Sequence, residues 1–392
     1  MNSMSSTVSA PRATHLVEQR LLRLRGEMAA RDLDAFVSLK LVNTYYLSGF
    51  TSLDTARPTS YVRPIVVVVD EASACLIVPS LDEEPANQTS GIRDIRCYST
   101  SPVVRAAQDL CGERLREVGA RRVGVEEDSF TAVWAEFFRR EHPDVQISLA
   151  GDAMKRLRLT KGEDEVALLR EAGRLSDIAV AASLAAATPG ATELEAETAG
   201  IVAFRKEASA DEAAVVDCIP IIIGGPRGSM PHEFTSGRQL RSGEPMWHCW
   251  LTSYGGYWTE NIRSGVVSPH DGQFEDVYKC LYEGLLAGQE RARPGARAQD
   301  VFGAVMAELH KTTYPGAVVL TRSGHGMGLE YHEPPFMEAS DDTELEPGMV
   351  LTVEPGIWIP GTGGLSLSNT IVIGQDESEI LTNAELALHV ER

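Results

Sequence analysis

The sequence predicts two domains, an α/β domain followed by an α+β domain. A chain of 392 residues exceeds what a single hydrophobic core usually serves. In the first half, short apolar segments alternate with helical patterns, which is typical of an α/β layer. In the second half, apolar strands are separated by turn clusters and accompanied by helices, which indicates antiparallel strands backed by helices.

The elements of the first half follow one another in a regular order. A Ser- and Thr-rich segment at 1–11 predicts a disordered tail, and an amphipathic pattern then predicts a helix over 16–30. The next predicted elements are strands over 35–39, 64–69 and 74–78, a helix over 103–118, a strand over 122–125 and a helix over 130–140. We therefore assign residues 12–155 to an N-terminal α/β domain.

A polar, basic stretch at 151–162 predicts a linker, and we place the domain boundary within it, after residue 155. Two long helices are predicted next, over 163–187 and 193–208, because apolar residues recur at helical spacing and acidic residues begin the first of them. The remaining predicted elements of this domain, 156–392, are strands over 215–223, 245–251, 255–263, 349–353 and 370–373 and helices over 274–292 and 298–309.

Composition excludes several classes of partner. The formal net charge of −20 would repel phosphate backbones and anionic membranes, and no apolar run approaches the roughly 20 residues that span a bilayer. We therefore predict that neither nucleic acid nor a membrane is a partner. Six scattered cysteines without a C-x-x-C pair, and no export signal, predict free thiols in the cytoplasm.

Three runs in the second half carry a resemblance to a known family. They are KGEDEVALLREA from residue 161, GHGMGLEYHEPP from residue 324 and ELEPGMVLTVEPGIWIPGTGG from residue 344. In this order they resemble the pita-bread superfamily of creatinase, prolidase and aminopeptidase P, which includes peptidase family M24. The resemblance implies a pita-bread fold for 156–392, a creatinase-like N-terminal domain and a homodimer.

The resemblance also implies a ligand set. Metallopeptidases of the superfamily hold two divalent metals with two Asp, one His and two Glu. Glu260, His325 and Glu354 align with three of these positions, whereas Cys249 and Ser368 stand where the first Asp and the last Glu are expected. Because two carboxylates that would neutralise the cations are lost, we expect a degenerate site with no metal and no cofactor.

The leading functional hypothesis is a metal-independent hydrolase of a C–N bond in a small polar metabolite. Creatinase, which lacks the metals, uses a His at the position of His232 as proton shuttle and carboxylates at those of Glu260 and Glu354 for the substrate. An imidazole can serve as base and acid in turn, and we add His325 and His332 to the catalytic set. The predicted substrate-binding residues are Arg63, Trp258, Tyr254 and Arg263.

Two alternatives stay open. One is an X-Pro metallopeptidase with a single altered metal site formed by Cys249, Glu260, His325 and Glu354. The other is a non-catalytic pita-bread protein that binds a peptide or a partner protein. Each residue also has a structural interpretation: Cys249 is a small buried apolar side chain, and Arg263 is a candidate ion-pair partner for a buried glutamate.

Overall fold

The structure, a computed structural model, describes residues 10–52, 63–99, 102–211, 215–268, 271–319 and 321–390. The chain divides into two compact units, Met1–Arg158 and Leu159–Arg392. The first is an α/β domain and the second an α+β domain, which confirms the predicted fold class. Most of the predicted tail, residues 1–9, lies outside the described residues, and its last two residues already belong to the first helix.

The first unit contains one described sheet of six strands with helices around it. Its strand order is β4-β3-β2-β1-β5-β6, with β2 antiparallel to both of its neighbours and the other pairs parallel. The strands are β1 (Ala35–Ser38), β2 (Val66–Asp70), β3 (Ala74–Pro79), β4 (Asp94–Tyr98), β5 (Arg122–Val125) and β6 (Gln146–Leu149). The helices are α1 (Ala10–Ala30), α2 (Leu41–Ser48), α3 (Glu83–Thr89), α4 (Val103–Glu117), α5 (Ala132–Glu141) and α6 (Gly151–Leu159).

Differences in burial explain why some strands of this unit were predicted from the sequence and others were not. β2 is buried along its whole length, so its continuous apolar run was recognisable. By contrast, β4 and β6 carry few apolar residues and are only partly buried, so the pattern missed them. The predicted linker at 151–162 is wrong in its first part, because Ala153, Met154 and Leu157 form the buried face of α6.

The second unit is built on a large mixed sheet. The described strands follow the order β12-β11-β13-β16-β9-β8-β7, with β17 beside β16 and β18 beside β9, while β10, β14 and β15 form a separate small sheet. The helices are α7 (Glu163–Ala186), α8 (Glu193–Ala208), α9 (Glu275–Arg291) and α10 (Ala298–Leu309). The strands are β7 (Val216–Gly224), β8 (Pro245–Tyr254), β9 (Tyr257–Val267), β10 (Val318–Val319), β11 (Arg322–Gly326), β12 (Glu333–Glu338), β13 (Val350–Val353), β14 (Gly356–Ile359), β15 (Gly363–Ser366), β16 (Ser368–Ile373), β17 (Ser378–Ile380) and β18 (His389–Val390).

The longest antiparallel pair of this sheet is the hairpin of β8 and β9. Its two-residue turn consists of Gly255 and Gly256 with φ of +57° and +81°, a left-handed conformation that glycine adopts without steric cost. Residues from Pro245 to Tyr254 then pair in continuous register with β9. This register fixes which side chains of the two strands lie opposite each other.

Two separate cores stabilise the second unit. One lies between α7, α8, β7 and β8 and includes Trp250 and Phe204, and the other packs α9 and α10 against β13 and β16. Each helix therefore buries one apolar face against the sheet. No helix in the described part of the chain is long and apolar enough to cross a membrane.

Candidate metal centre

Five strands of the large sheet bring the predicted site residues into two neighbouring rows. The first row begins with His325 on β11, which pairs with Thr352 on β13. Thr352 in turn pairs with Thr370 on β16. The Thr370 hydroxyl accepts a hydrogen bond from the backbone N–H of Glu260 on β9. Residues two apart on a strand point to the same face. The second row, Cys249, Ile262 and Ser368, therefore lies beside the first.

Three potential ligand side chains converge at this place. One ligand atom each from Glu260, His325 and Glu354 lies within 4.8 Å of the other two. The Nε2 atom of His325 lies 3.7 Å from a carboxylate oxygen of Glu260 and 3.8 Å from one of Glu354. These distances are too long for hydrogen bonds, and this buried nitrogen has no hydrogen-bond partner among the described residues.

The surroundings shift the pKa values of the two glutamates in opposite directions. Burial would raise the pKa of Glu260, but the nearby imidazole of His325 and a 2.9 Å hydrogen bond from the Thr352 hydroxyl outweigh it, so the pKa is lowered. Burial and the negative charge of Glu260 raise the pKa of Glu354 well above its ordinary value, against the opposing charge of Arg322. Two carboxylates this close favour one shared proton unless a cation neutralises them.

The donor set fits a single divalent metal. Two ligand atoms that each lie about 2.1 Å from a metal stand roughly 3 to 4 Å apart, which is the separation of His325 Nε2 from both carboxylates. Its other ring nitrogen, Nδ1, contacts the backbone oxygen of Gly326 at 3.1 Å, which leaves Nε2 as the ligating atom. Two carboxylates and one imidazole suit Mn, Fe, Co or Zn.

The same residues do not fit a second metal. The Ser368 hydroxyl accepts a 2.9 Å hydrogen bond from the backbone N–H of Ile262, so it replaces a ladder contact between β16 and β9. Cys249 is buried outside the three-residue cluster. Desolvation and the charges of Glu260 and Glu354 raise the pKa of its thiol, so it stays protonated. The structure thus favours the interpretation of Cys249 as a buried side chain.

A chain of aromatic rings leads from the centre to the surface. His332 contacts His325 with ring centroids 4.0 Å apart, Tyr331 contacts His332 at 5.1 Å, and Trp258 contacts Tyr331 at 5.8 Å. Desolvation and the neighbouring His325, Arg322 and His232 lower the pKa of His332, so its ring is neutral near pH 7. The predicted residues Trp258 and His332 are therefore close to the centre.

His232 is exposed and lies near enough to His332 to affect its pKa. The segment around it is held by Arg227, whose guanidinium donates to Glu193, to Glu233 at 2.9 Å and to the backbone oxygen of Phe234 at 2.7 Å. Glu193 is fully buried at the start of α8. An ion pair with a buried carboxylate thus positions the loop that carries the predicted catalytic histidine.

Three predicted substrate-binding residues are placed differently. Arg263 does not pair with a glutamate of the centre in the described structure; its guanidinium donates to backbone oxygens and to Asn369 at 2.8 Å, and desolvation lowers its pKa to about 10. Tyr254 packs in a core and its hydroxyl bonds Asp211. Arg63 is exposed in the first unit, where its predicted role stays a prediction.

The sequence did not single out three residues that the structure brings to the centre. Thr352 donates to Glu260, Tyr331 packs on His332, and the charge of Arg322 acts on Glu354. Tyr331 and Thr352 belong to two of the three recognised sequence runs, so the sequence could have indicated that they lie near the centre. Arg322 lies just outside them, and only the strand register shows where it points.

Two family profiles match the chain. The Creatinase/Prolidase N-terminal domain matches residues 20–160, and Metallopeptidase family M24 matches residues 167–375, more than half of the chain. The chain belongs to metallopeptidase family M24. The recognised superfamily is thereby confirmed, and so is the pita-bread fold of the second unit.

Relatives of this M24 chain include dipeptidases. The Xaa-Pro dipeptidase of Pyrococcus furiosus is 28% identical over 95% of this chain and 100% of that protein. The probable dipeptidase PepE of Mycobacterium tuberculosis is 33% identical over 60% of this chain and 61% of that protein. The crystal structure of the prolidase from Pyrococcus horikoshii matches with a TM-score of 0.83 and 26% identity, over 95% of this chain and 100% of that one.

These matches correct the functional prediction. A metal-independent, creatinase-like hydrolase is wrong, because the chain matches a metallopeptidase family and relatives named Xaa-Pro dipeptidase over nearly its full length. The error came from counting lost ligands: two positions are replaced, but the three that remain converge on one point. The coarser prediction, a hydrolase of C–N bonds, agrees with membership in a peptidase family.

Proposed function

We propose that this M24 chain is a metal-dependent peptidase that hydrolyses Xaa-Pro dipeptides with one divalent ion bound by Glu260, His325 and Glu354. The observation that carries the proposal is the convergence of these three ligand atoms around an unbonded, buried Nε2 of His325. The substrate class comes from the Xaa-Pro dipeptidases among its relatives.

The residues around the centre have different roles in the proposed reaction. When bound, such an ion polarises a carbonyl oxygen and lowers the pKa of a bound water. Thr352 orients the Glu260 carboxylate through its 2.9 Å hydrogen bond. The neutral ring of His332 can orient the peptide through a hydrogen bond, and the neighbouring His232 can carry the proton that the leaving amine needs.

Metal analysis combined with turnover tests the proposal. We expect purified protein, loaded with Mn, Co, Zn or Fe, to bind one equivalent of metal and to cleave Xaa-Pro dipeptides, with activity lost on chelation and restored by the ion. His325→Ala should lower bound metal below about a tenth of an equivalent. Cys249→Ser should keep the metal, because Cys249 lies outside the cluster.

The metal and turnover experiment needs a control variant, and two results would contradict the proposal. His310→Ala removes an exposed histidine at the end of α10 and should change neither metal content nor activity. Two equivalents of metal in the wild-type protein would contradict the one-ion centre. Metal binding without turnover of any dipeptide would contradict the peptidase and favour a non-catalytic peptide-binding protein.

We also propose that the protein is a cytoplasmic homodimer, as the family resemblance implies. The support is the full-length similarity to prolidases. Sedimentation equilibrium tests the assembly: a species of twice the chain mass at micromolar concentration is expected, and a monomer throughout the concentration range would contradict it.

A further inference from the structure

The loop 327–332, which carries His332, connects β11 to β12. Its first two residues are held by the backbone: the N–H of Met327 donates to the oxygen of Val350 at 2.9 Å, and the oxygen of Gly328 accepts from the N–H of Trp258 at 2.7 Å. His332 is the last residue of the loop. The contacts that hold this second end of the loop therefore decide where the His332 ring lies.

The pairing of β11 with β12 is irregular at this second end. One β-bulge lies between Arg322 and His325, and another irregularity lies between His325 and Gly326. His325 pairs with Phe336 and Gly326 pairs with Glu333, so one step on β11 corresponds to three steps on β12. Such irregularities interrupt the ladder of backbone hydrogen bonds. The ladder alone therefore does not fix the start of β12, and a side-chain contact is needed there.

Glu333, the residue after His332, supplies this contact. Its carboxylate lies 2.5 Å from the ammonium group of Lys161, and the two side chains are only 5% and 3% exposed. Gly328 packs against this ion pair. A Cβ atom at Gly328 would collide with the Glu333 carboxylate and would lie 2.9 Å from Cε of Lys161. The pair is therefore closely enclosed by the loop that it supports.

The backbone in turn anchors Lys161. Its N–H donates to the backbone oxygen of Gly348 at 2.7 Å, and the preceding residue, Thr160, forms a bridge with Met349. Gly348 has φ of +90°, and a Cβ atom there would lie 2.8 Å from the backbone oxygen of Lys161, so this close approach requires glycine. Glu333 is thus tied to the segment that leads into β13, the other neighbour of β11.

Stability alone does not account for an ion pair at this place. Taking two charges out of water costs free energy that their attraction repays only in part, and apolar side chains of similar size often stabilise a protein as well. An ion pair differs from apolar packing because its hydrogen-bonding geometry fixes the positions of both groups. Since Glu333 directly follows His332, fixing its side chain restricts the backbone that carries the His332 ring.

We propose that Lys161 and Glu333 are positioning residues, whose buried ion pair holds the ring of His332 in the place from which it orients the peptide. This inference rests on the proposed peptidase function. Neither residue belongs to the cluster of candidate metal ligands in the described part of the chain. The pair should therefore affect turnover and leave metal binding unchanged.

Single and double substitutions separate positioning from stability. Lys161→Met leaves the charge of Glu333 unpaired, so the melting temperature should fall, and kcat should fall about tenfold or more. The double variant with Lys161→Met and Glu333→Leu contains neither charge. It should regain most of the melting temperature but keep the low kcat, with KM and bound metal close to those of the wild-type protein.

Arg114→Met is the matched control for loss of a buried cation. Arg114 pairs with Asp70 in the first unit, and these side chains are 11% and 9% exposed. The substitution should lower the melting temperature, as Lys161→Met does, and leave kcat unchanged. A loss of kcat in this control equal to that in Lys161→Met would show that lower stability alone reduces turnover, and would overturn the inference.

NMR spectra of isotope-labelled histidine rings test the inference without turnover. His332→Gln assigns the His332 signal. In the double variant this signal should shift, because the rings of His325 and Tyr331, which contact His332 in the wild-type protein, would lie at different distances. In Arg114→Met it should stay at its wild-type position. A shifted signal in a protein that cleaves no dipeptide would support the inference, and only the peptidase proposal would fail.

Two results for the double variant would overturn the inference. A wild-type kcat would show that the ion pair contributes only to stability. An unshifted His332 signal would show that the ring is held in place without the pair.

Discussion

Glu260 and Glu354 are glutamates of one centre, one buried and one half-buried, yet their local contacts shift their pKa values in opposite directions. A hydroxyl donor and an imidazole lower the pKa of Glu260, whereas Glu354 faces the charge of Glu260 and its pKa rises. The centre therefore combines one carboxylate whose pKa is lowered with one whose pKa is raised, which is typical of two like charges held close together.

At the residue scale, Asp70 gives a pH-dependent prediction. Burial would raise its pKa, but hydrogen bonds from Ser73 and Ala72 and the charge of Arg114 lower it below 3.8. Its stabilising contribution is therefore present above about pH 4 and is lost as the pH falls through the lowered pKa. Asp70→Asn should reduce the free energy of unfolding by about 2 kcal/mol at pH 7.

Denaturant unfolding between pH 7 and pH 2 measures this difference. The gap between wild type and Asp70→Asn should be constant from pH 7 to about pH 5 and shrink below pH 4. Glu136→Gln is the control, since the ion pairs that Glu136 forms with Arg139 and Arg140 in the described part of the chain are exposed and contribute little to stability. A gap that widened on acidification would contradict the assigned direction of the Asp70 shift.

At the scale of elements, the loop that carries His232 depends on the first residue of α8. Glu193 accepts hydrogen bonds from Gly224 at 3.1 Å, from Arg227 at 2.6 Å and from Ser236 at 2.7 and 3.0 Å. Glu193→Gln removes the buried charge opposite Arg227, so the free energy of unfolding should fall by about 3 kcal/mol. The loosened loop should also lower kcat about tenfold.

Glu195→Gln controls for helix capping in the same turn. Glu195 closes an exposed capping box with Thr192, and glutamine can fill the same position, so this substitution should change stability little and leave kcat unchanged. Chemical denaturation and steady-state kinetics with an Xaa-Pro dipeptide measure both variants. Equal effects of the two substitutions would show that Glu193 stabilises only the helix.

The bulge in β11 gives a second prediction at this scale. Gly324→Ala would bring a methyl group against the backbone of Thr352, so we expect a loss of at least 3 kcal/mol in unfolding free energy and of metal affinity. Gly303→Ala is the matched control, because Gly303 lies in α10 with open space around it. It should stabilise the protein by about 0.5 to 1 kcal/mol. Thermal unfolding measures the stability of the two variants, and metal titration measures their metal affinity.

At the scale of the whole molecule, the two units have separate cores, and the candidate ligands all lie in the second. A metal at 100 times its Kd should raise the melting temperature of the second unit by about 5 to 10 °C. The first unit should not respond. Scanning calorimetry with and without chelator measures this, and an equal shift of all transitions would contradict the assignment of the site to one unit.

Elements with strong periodicity were predictable. The helices α7, α8 and α10 and the strands β5 and β13 were predicted to within a residue at each end, because their apolar faces repeat at helical or strand spacing. Short strands such as β14 and β15 were missed. Each has only four residues, and Trp358 of β14 packs against Gly356 of its own strand and Gly364 of β15, and tertiary packing of this kind leaves no periodic signal.

The sequence by itself determined the fold class, the superfamily and the positions of Glu260, His325 and Glu354. It could not decide whether these three still form a metal centre. Cys249 and Ser368 replace two expected ligands, and the sequence does not show whether the remaining three can bind a metal without them. The tertiary structure decided this, since strand register and one glycine bulge set the distances between side chains far apart in the chain. The same strand register places Arg322 near the centre.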